Sequence, residues 1–547
     1  MTPGSRVLKG GMANSSKRHL VPAALLAVLA ATCGGGGSAT PTTESTPATC
    51  ADGADNDGDG ATDCEDLYCQ SIGACGEDTD GDTGADTDTA TGPGAPAKNL
   101  RVSRIQLCQT VCTDIMTGFE EVAPLIPIVP NREALLRVHV ALLAGWDWRS
   151  IWGELRVETA SSGEQTLLDQ IVLEESSTEN HLDSTINFTL PPESVAEGLA
   201  YAFALRENGS YVAPGPENPE GLWPAEGLAS VPLAELEDPV EIVVVPVRYN
   251  ADGSGRLPDV TDEALAAIAS TFEAMYPIDR VEISVTEPFD WEIPILANGQ
   301  GWDDLLTSIT ELHNSEATFE EYYYGLFDPA DSLGEFCGGY CVLGLSWVAE
   351  TADDAWARAS IGVGFSGAAA GTMAHEVGHA HGLWHAPCGT TGGDDDPDFP
   401  YAGGTIGVTG YNSLSHTLMG SGAYDFMSYC DPDWVSDYHY LALRERIAEV
   451  NAEAKGSARG TEAWSSVLLR PDGSIAVGPA LRLAAPPSGP VREVVWRDAA
   501  SRLIGAVEGR FQPFADLPGG LILYPTPPAD VAFVELAGHA PLPLSAP

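Results

Sequence analysis

Basic residues are scarce in this chain: 26 Lys and Arg stand against 79 Asp and Glu in 547 residues, a formal net charge of -53. Such a chain repels nucleic acid and anionic membrane surfaces, so neither is expected as a partner. Long apolar runs are also missing; the N-terminal run from Leu20 to Ala31 falls short of the roughly 20 residues that a bilayer-spanning helix needs. No Cys-x-x-Cys pair occurs, which removes the commonest structural zinc spacing. Gly364-Phe365-Ser366-Gly367 lacks the second-glycine spacing of GxSxG, which argues against a serine hydrolase. The stretch from Gly34 to Ala97 contains no Lys or Arg, and only 11 histidines occur in the whole chain.

What is present begins with a targeting segment. Lys17, Arg18 and His19 precede the apolar run, which is the order of an export signal. Leu29-Ala30-Ala31-Thr32 then leads to Cys33 and to four glycines, Gly34 to Gly37. This resembles the lipobox and tether of bacterial lipoproteins, with Ala30 where a stronger lipobox has leucine. The resemblance implies acylation of Cys33 and an exported product held at the cell surface or outer membrane; ordinary signal cleavage, giving a free extracellular protein, is the alternative. A membrane partner is thus expected only through that anchor. Setting Cys33 aside, 11 cysteines leave ten, an even number that in an exported chain predicts disulfides. Cys108/Cys112 and Cys337/Cys341 either close on themselves or pair with one another.

A chain of 547 residues is long enough for several domains. Residues 1–33 read as a lipoprotein-type signal and 34–97 as an acidic linker too polar to bury a core. Within the linker, Asp55, Asp57, Asp59, Asp63 and Asp66 fall at loop positions 1, 3, 5, 9 and 12, with Gly60 at position 6, as a calcium loop requires. Cys50, Cys64, Cys69 and Cys75 bracket the loop. It resembles the Asp-rich repeats of thrombospondin-type and dockerin-type modules, which implies calcium; a solvated acidic spacer is the plainer alternative.

Residues 98–239 alternate short β-rich runs, such as Leu136 to Val140 and Ile186 to Leu190, with turn residues, which predicts a β-sandwich. Residues 240–455 change character. Glu241 to Val247 reads as a buried strand, Thr261 to Met275 as an amphipathic helix, and Val281 to Val285 as another strand. A helix from Trp302 to His313 and strands over Tyr322 to Phe327 and Ala357 to Phe365 complete an α+β block. A long helix follows from Tyr438 to Ala454. Residues 460–547 return to short β runs, such as Ser465 to Leu469, and read as a small C-terminal β domain.

The chemistry lies in His375-Glu376-Val377-Gly378-His379-Ala380-His381-Gly382-Leu383-Trp384-His385, which fits HExxHxxGxxH at every specified place. On a helix, residues four apart share a face, so His375 and His379 can present imidazole nitrogens to one zinc ion. Glu376 lies beside them as the base that takes a proton from a water the metal has acidified. Gly382 can take the left-handed conformation that ends a helix, and the turn brings His385 back as third ligand. Three histidines and a water leave room for a substrate carbonyl.

This run is similar to the consensus of the metzincin metallopeptidases, and the resemblance implies a zincin-type α+β catalytic domain flanked by β-sandwich-like domains. It also implies a methionine-containing turn beneath the zinc, for which Ala423 to Tyr429 offers Met427, with Met419 a weaker candidate. Tyr429, two places after Met427, matches the tyrosine that approaches the zinc in astacin-like and serralysin-like members and helps to hold the oxyanion. Trp434 to Tyr438 looks like the tail after the turn in secreted, mucin-cleaving bacterial metzincins. If that fold holds, Cys388 and Cys430 both lie near the floor of the site, and a bond between them would staple loop to turn.

The implied function is a zinc endopeptidase acting on extracellular proteins or glycoproteins. The alternative is a surface adhesion or glycan-binding lipoprotein with a structural or inactive zinc site. Latency through a thiol of Cys108 or Cys112 stays open. His381 and His313 read as ordinary packing or surface histidines, and Asp394, Asp395, Asp396 and Asp398 as a solvated acidic loop with calcium as the alternative.

Overall fold

The computed structural model describes residues 6–7, 92–215, 218–339, 341–390, 395–454 and 462–544. The expectations for Cys33, for Asp55, Asp57, Asp59, Asp63 and Asp66, for the bracketing cysteines and for Asp394 lie outside the described residues. The protein is mostly β-sheet, in several sheets. Among the described residues no helix is long and apolar enough to cross a membrane.

The first segment stacks two sheets on one core. A five-stranded sheet is centred on Leu100–Cys108 and Ala134–Leu142, and a six-stranded sheet on Ala200–Asn208 and Arg149–Glu158. Strand Arg149–Glu158 shows the cause: Ile151, Gly153, Leu155 and Val157 are buried while the residues between them are not, as the two-residue period of a strand with one face on a core dictates. Ile151 and Leu155 meet Val102, Ile105, Val138 and Phe203 in a single apolar cluster. This arrangement is compatible with the predicted sandwich.

The central segment is built differently because its strands are covered on both faces. Strand β1 (Val240–Tyr249) is flanked by β2 (Val281–Val285) and β3 (Glu321–Phe327), both parallel to it, and β5 (Ala359–Val363) continues the parallel order beyond β3. Strand β4 (Gly344–Ser346) closes the far edge antiparallel to β5. Alternate β1 residues face opposite ways: Ile242 and Val244 pack with Leu265 and Phe272 of α1 (Asp262–Met275) and Val377 of α3 (Ala369–Ala380), whereas Val243 and Val245 pack with Leu305 and Ile309 of α2 (Trp302–Glu316). Burial on both faces is why Glu241 to Val247 is a nearly continuous apolar run. Thr261 caps α1 by accepting from the Ala264 amide, and α4 (Asp437–Ala454) packs on the α1/α3 side.

The C-terminal segment forms an eight-stranded antiparallel sheet that includes the hairpin β6 (Leu503–Pro513) and β7 (Gly520–Pro525). Its Leu468, Leu481, Phe514, Leu521 and Leu523 belong to the same apolar cluster as α2 and Trp347. Arg470 reaches Asp303 at 2.7 Å and Asp304 at 2.6 Å in the first turn of α2. This seam fixes the β6–β7 hairpin against the edge of the central sheet.

Candidate metal centre

Helix α3 follows β5 and carries Met373, Ala374, Val377 and Ala380 into the core, which leaves His375 and His379 one turn apart on a shared face. Gly378 lets the helix rest on the turn below: a Cβ there would come within 2.8 Å of Met427 Sδ. The helix ends as the sequence predicts. Gly382 has φ of 92°, its amide bonds His379 O at 2.7 Å, and the Leu383 amide bonds Gly378 O at 3.1 Å, a Schellman end. A Cβ on Gly382 would also meet Ala349 O at 2.5 Å. The chain then turns back and delivers His385.

The three imidazoles converge. His379 Nε2 lies 3.1 Å from His375 Nε2 and 3.2 Å from His385 Nε2. The Nδ1 atoms of His375 and His379 sit 2.7 Å from the carbonyls of Phe426 and Leu383 and donate to them, which in the neutral imidazoles leaves a lone pair on each facing Nε2. Two lone pairs at that distance repel unless a cation lies between them. Nitrogens roughly 2.0–2.1 Å from a tetrahedral zinc stand about 3.3–3.4 Å apart, close to the spacing seen. The group His375, His379, His385 and Asp516 can therefore hold a metal ion.

Asp516, in the tip of the β6–β7 hairpin, supplies the fourth group. Its Oδ1 lies 3.1 Å from His385 Nε2 and 3.8 Å from His375 Nε2, and its Oδ2 lies 3.9 Å from His379 Nε2. Tyr429 Oη is 2.9 Å from His385 Nε2 and also hydrogen-bonds Asp516. Glu376 is buried beside them; burial and then the Asp516 charge push its carboxyl well above the usual carboxylate range. Asp516 is held well below that range, since its histidine neighbours outweigh the burial that opposes its charge. Gly344 of β4 makes room for Glu376, because a Cβ there would fall 2.1 Å from Glu376 Oε1. A cleft of about 420 Å³ opens between β4, the outer face of α3 and the Tyr429 turn.

The floor is the turn around Met427, which is fully buried. Buried Asp425 organises it, accepting from Met427 N at 2.8 Å, Ser436 N at 3.0 Å and His439 Nδ1 at 2.7 Å. Cys388 and Cys430 are bonded, and Ala386 N to Met427 O at 2.9 Å and Tyr429 N to Cys388 O at 3.0 Å continue the seam. Met419, by contrast, ends the short strand Thr417–Met419.

The remaining sequence candidates fall elsewhere. Cys108 bonds Cys112 and Cys337 bonds Cys341, which decides the pairing left open. It also closes the thiol latency left open above, since neither Cys108 nor Cys112 keeps a thiol to offer a metal. His381 is buried and stacks on Tyr322 at 4.4 Å, and His313 bonds Glu321 O at 3.1 Å; both pack rather than ligate. Asp395 is engaged by Thr390, and Asp396 by Tyr438 at 2.8 Å.

Sequence reasoning did not single out Asp516, Gly344, Asp425 or His439. Asp425 stood in the quoted Met427 turn, and a buried carboxylate at that place was the available signal. Asp516 is 131 residues from His385, and no spacing connects them.

No family model matches the chain, and no curated protein matches it. Among solved structures it is similar to a crystal structure of a protein from Bacteroides fragilis provisionally named a beta-galactosidase. That similarity has 10% identity over 42% of this chain and 38% of the other, with a TM-score of 0.13, too low to carry an argument about fold or function.

Proposed function

We propose that the chain is an exported, zinc-dependent endopeptidase of the metzincin type that hydrolyses internal peptide bonds of extracellular proteins or glycoproteins. The observation that carries this reading is the convergence of the His375, His379 and His385 Nε2 atoms, with Glu376 buried at their side. Zinc held by these imidazoles would supply a Lewis acid and bring the pKa of a water there to near neutrality.

The chain's own groups divide the remaining work. Glu376, whose ionised form a bound cation and the withdrawal of the Asp516 charge would favour, accepts a proton from the attacking water and passes it to the departing amine. Tyr429 Oη donates to the carbonyl oxygen as negative charge grows on it. An extended substrate pairs with the outer edge of β4, whose other edge is taken by β5. Attachment through acylated Cys33 and calcium at Asp55, Asp57, Asp59, Asp63 and Asp66 belong to the same proposal.

Asp516 favours a second reading, an adhesion or glycan-binding surface protein with a structural metal centre, because three histidines and a carboxylate would give a metal four protein ligands and no open position. Glu376 and Tyr429 argue for the first, since a structural centre has no use for a base or an oxyanion donor. Glu376→Ala separates them. In the Asp516→Ala background, chelator-sensitive cleavage of casein or a mucin-type glycoprotein should vanish with Glu376→Ala while bound metal stays; cleavage at an unchanged rate would overturn the peptidase reading.

A further inference from the structure

The β6–β7 hairpin does more than bring a carboxylate near three histidines. Its tip spans residues 514–519, and the first two of them pair with the end of β4. Phe514 forms an antiparallel bridge with Trp347, the residue after β4, and their rings stack at 4.9 Å. The Ala515 amide donates to Ser346 O at 3.0 Å, so the tip pairs with the edge of β4 that faces away from β5. Phe514 is only 2% exposed and is held in the core shared with the C-terminal sheet. The next residue but one, Asp516, then points at all three imidazoles and takes the Tyr429 hydroxyl.

Each contact uses something that the proposed reaction needs. An outward strand edge is the rail on which an extended peptide pairs, and here the tip holds a rung of it. The fourth position around the imidazoles is where water or a substrate carbonyl belongs, and a carboxylate is there. The oxyanion donor is engaged by the same carboxylate. A permanently closed structural centre would leave unexplained the base beside it, the glycine that makes room for that base, and the cleft of about 420 Å³ next to both.

We propose that the Asp516 tip is a built-in competitor for the substrate cleft: Asp516 is a displaceable fourth metal ligand, and the backbone at 514–516 stands in for an extended peptide. The full chain is therefore latent, and substrate enters only as the Asp516 side chain leaves. This inference rests on the peptidase reading. Phe514 stays in its core, so Asp516 and its neighbours at the tip are the part that must move. The apparent affinity of the centre for an added ligand is lowered by the fraction of time that Asp516 occupies it.

The test uses the full chain and three variants: Asp516→Ala, the near-isosteric Asp516→Asn, and Ala515→Pro, which removes the amide bonded to Ser346 and keeps the Asp516 carboxylate. Measured are bound metal, the absorption spectrum of the cobalt(II) form, affinity for acetohydroxamate as a small metal-binding probe, and cleavage of casein. The expected result is unchanged metal content, a changed cobalt spectrum in both Asp516 variants, and acetohydroxamate affinity raised at least about tenfold in all three. Equal affinity and an equal spectrum in wild type and Asp516→Asn would overturn the proposal, as would loss of metal from both Asp516 variants, which would make Asp516 an obligate ligand. Tighter acetohydroxamate binding without any cleavage would uphold the displaceable ligand and count against the peptidase reading alone.

Discussion

Replacing Asp425 with alanine should damage the turn beneath the histidines more than any other single change there. Its carboxylate is completely buried and is the acceptor for His439 Nδ1, Met427 N and Ser436 N. A buried donor left without its acceptor costs roughly 1–3 kcal/mol. The two amides and the His439 imidazole left without an acceptor together cost about 3–9 kcal/mol. That is a large part of the ~5–15 kcal/mol that holds a domain folded. The next residue is Phe426, whose carbonyl fixes His375 Nδ1, so metal affinity should also fall, by about 10–100-fold as for other lost outer partners of a ligand. Urea unfolding of the metal-free forms would give the stability change, and competition with a chelator of known affinity would give the metal change. Asp425→Asn keeps an acceptor but not the charge and should lie between. A urea midpoint and a metal affinity both equal to wild type in Asp425→Ala would refute the role assigned to this carboxylate.

Gly344→Ala should keep its metal and lose activity: the new Cβ falls where Glu376 Oε1 now lies, overpacking costs about 1–3 kcal/mol, and a displaced base costs about 10²–10⁴ in kcat. Comparing cleavage rates in the Asp516→Ala background checks it, and an unchanged rate would count against that placement of Glu376. Acid should destabilise the fold through two buried histidines outside the centre. Burial lowers His313 to about 4, and burial together with the charges of Arg137 and Arg104 lowers His139 to about 4. Both stay neutral in the folded chain while the unfolded chain binds protons below about 6.5, so their stabilisation is complete above 6.5 and is lost as pH falls toward 4. The slope is about 1.4 kcal/mol per pH unit for each. Urea midpoints between pH 6.5 and 5 should fall less in His313→Gln and His139→Gln than in wild type, and equal slopes would contradict this.

The central segment was legible in the sequence where a local rule governs it. Glu241 to Val247 announces a strand covered on both faces, and Thr261 announces the start of α1, because side-chain periodicity and capping act within one element. The left-handed turn at Gly382 was legible for the same reason. The Cys388–Cys430 bond followed only once the 385–388 loop was laid over the Met427 turn. Contacts between distant elements left no such trace. Asp516 reaches the histidines because Phe514 and Leu521 are anchored beside Trp347, and nothing in the spacing of these residues records that docking. Gly344 was silent as well, since its missing side chain matters only through Glu376, brought next to it by the fold. The C-terminal β segment read as a small β domain of its own, and its contribution to the histidine cluster became visible only in three dimensions.

The most direct test is metal analysis of the purified full chain by mass spectrometry, beside Glu376→Ala and a His375→Ala/His379→Ala double variant. One zinc per chain is expected in wild type and Glu376→Ala, and none in the double variant. A wild-type chain without stoichiometric metal, or a double variant that keeps it, would contradict the metal centre on which everything else rests.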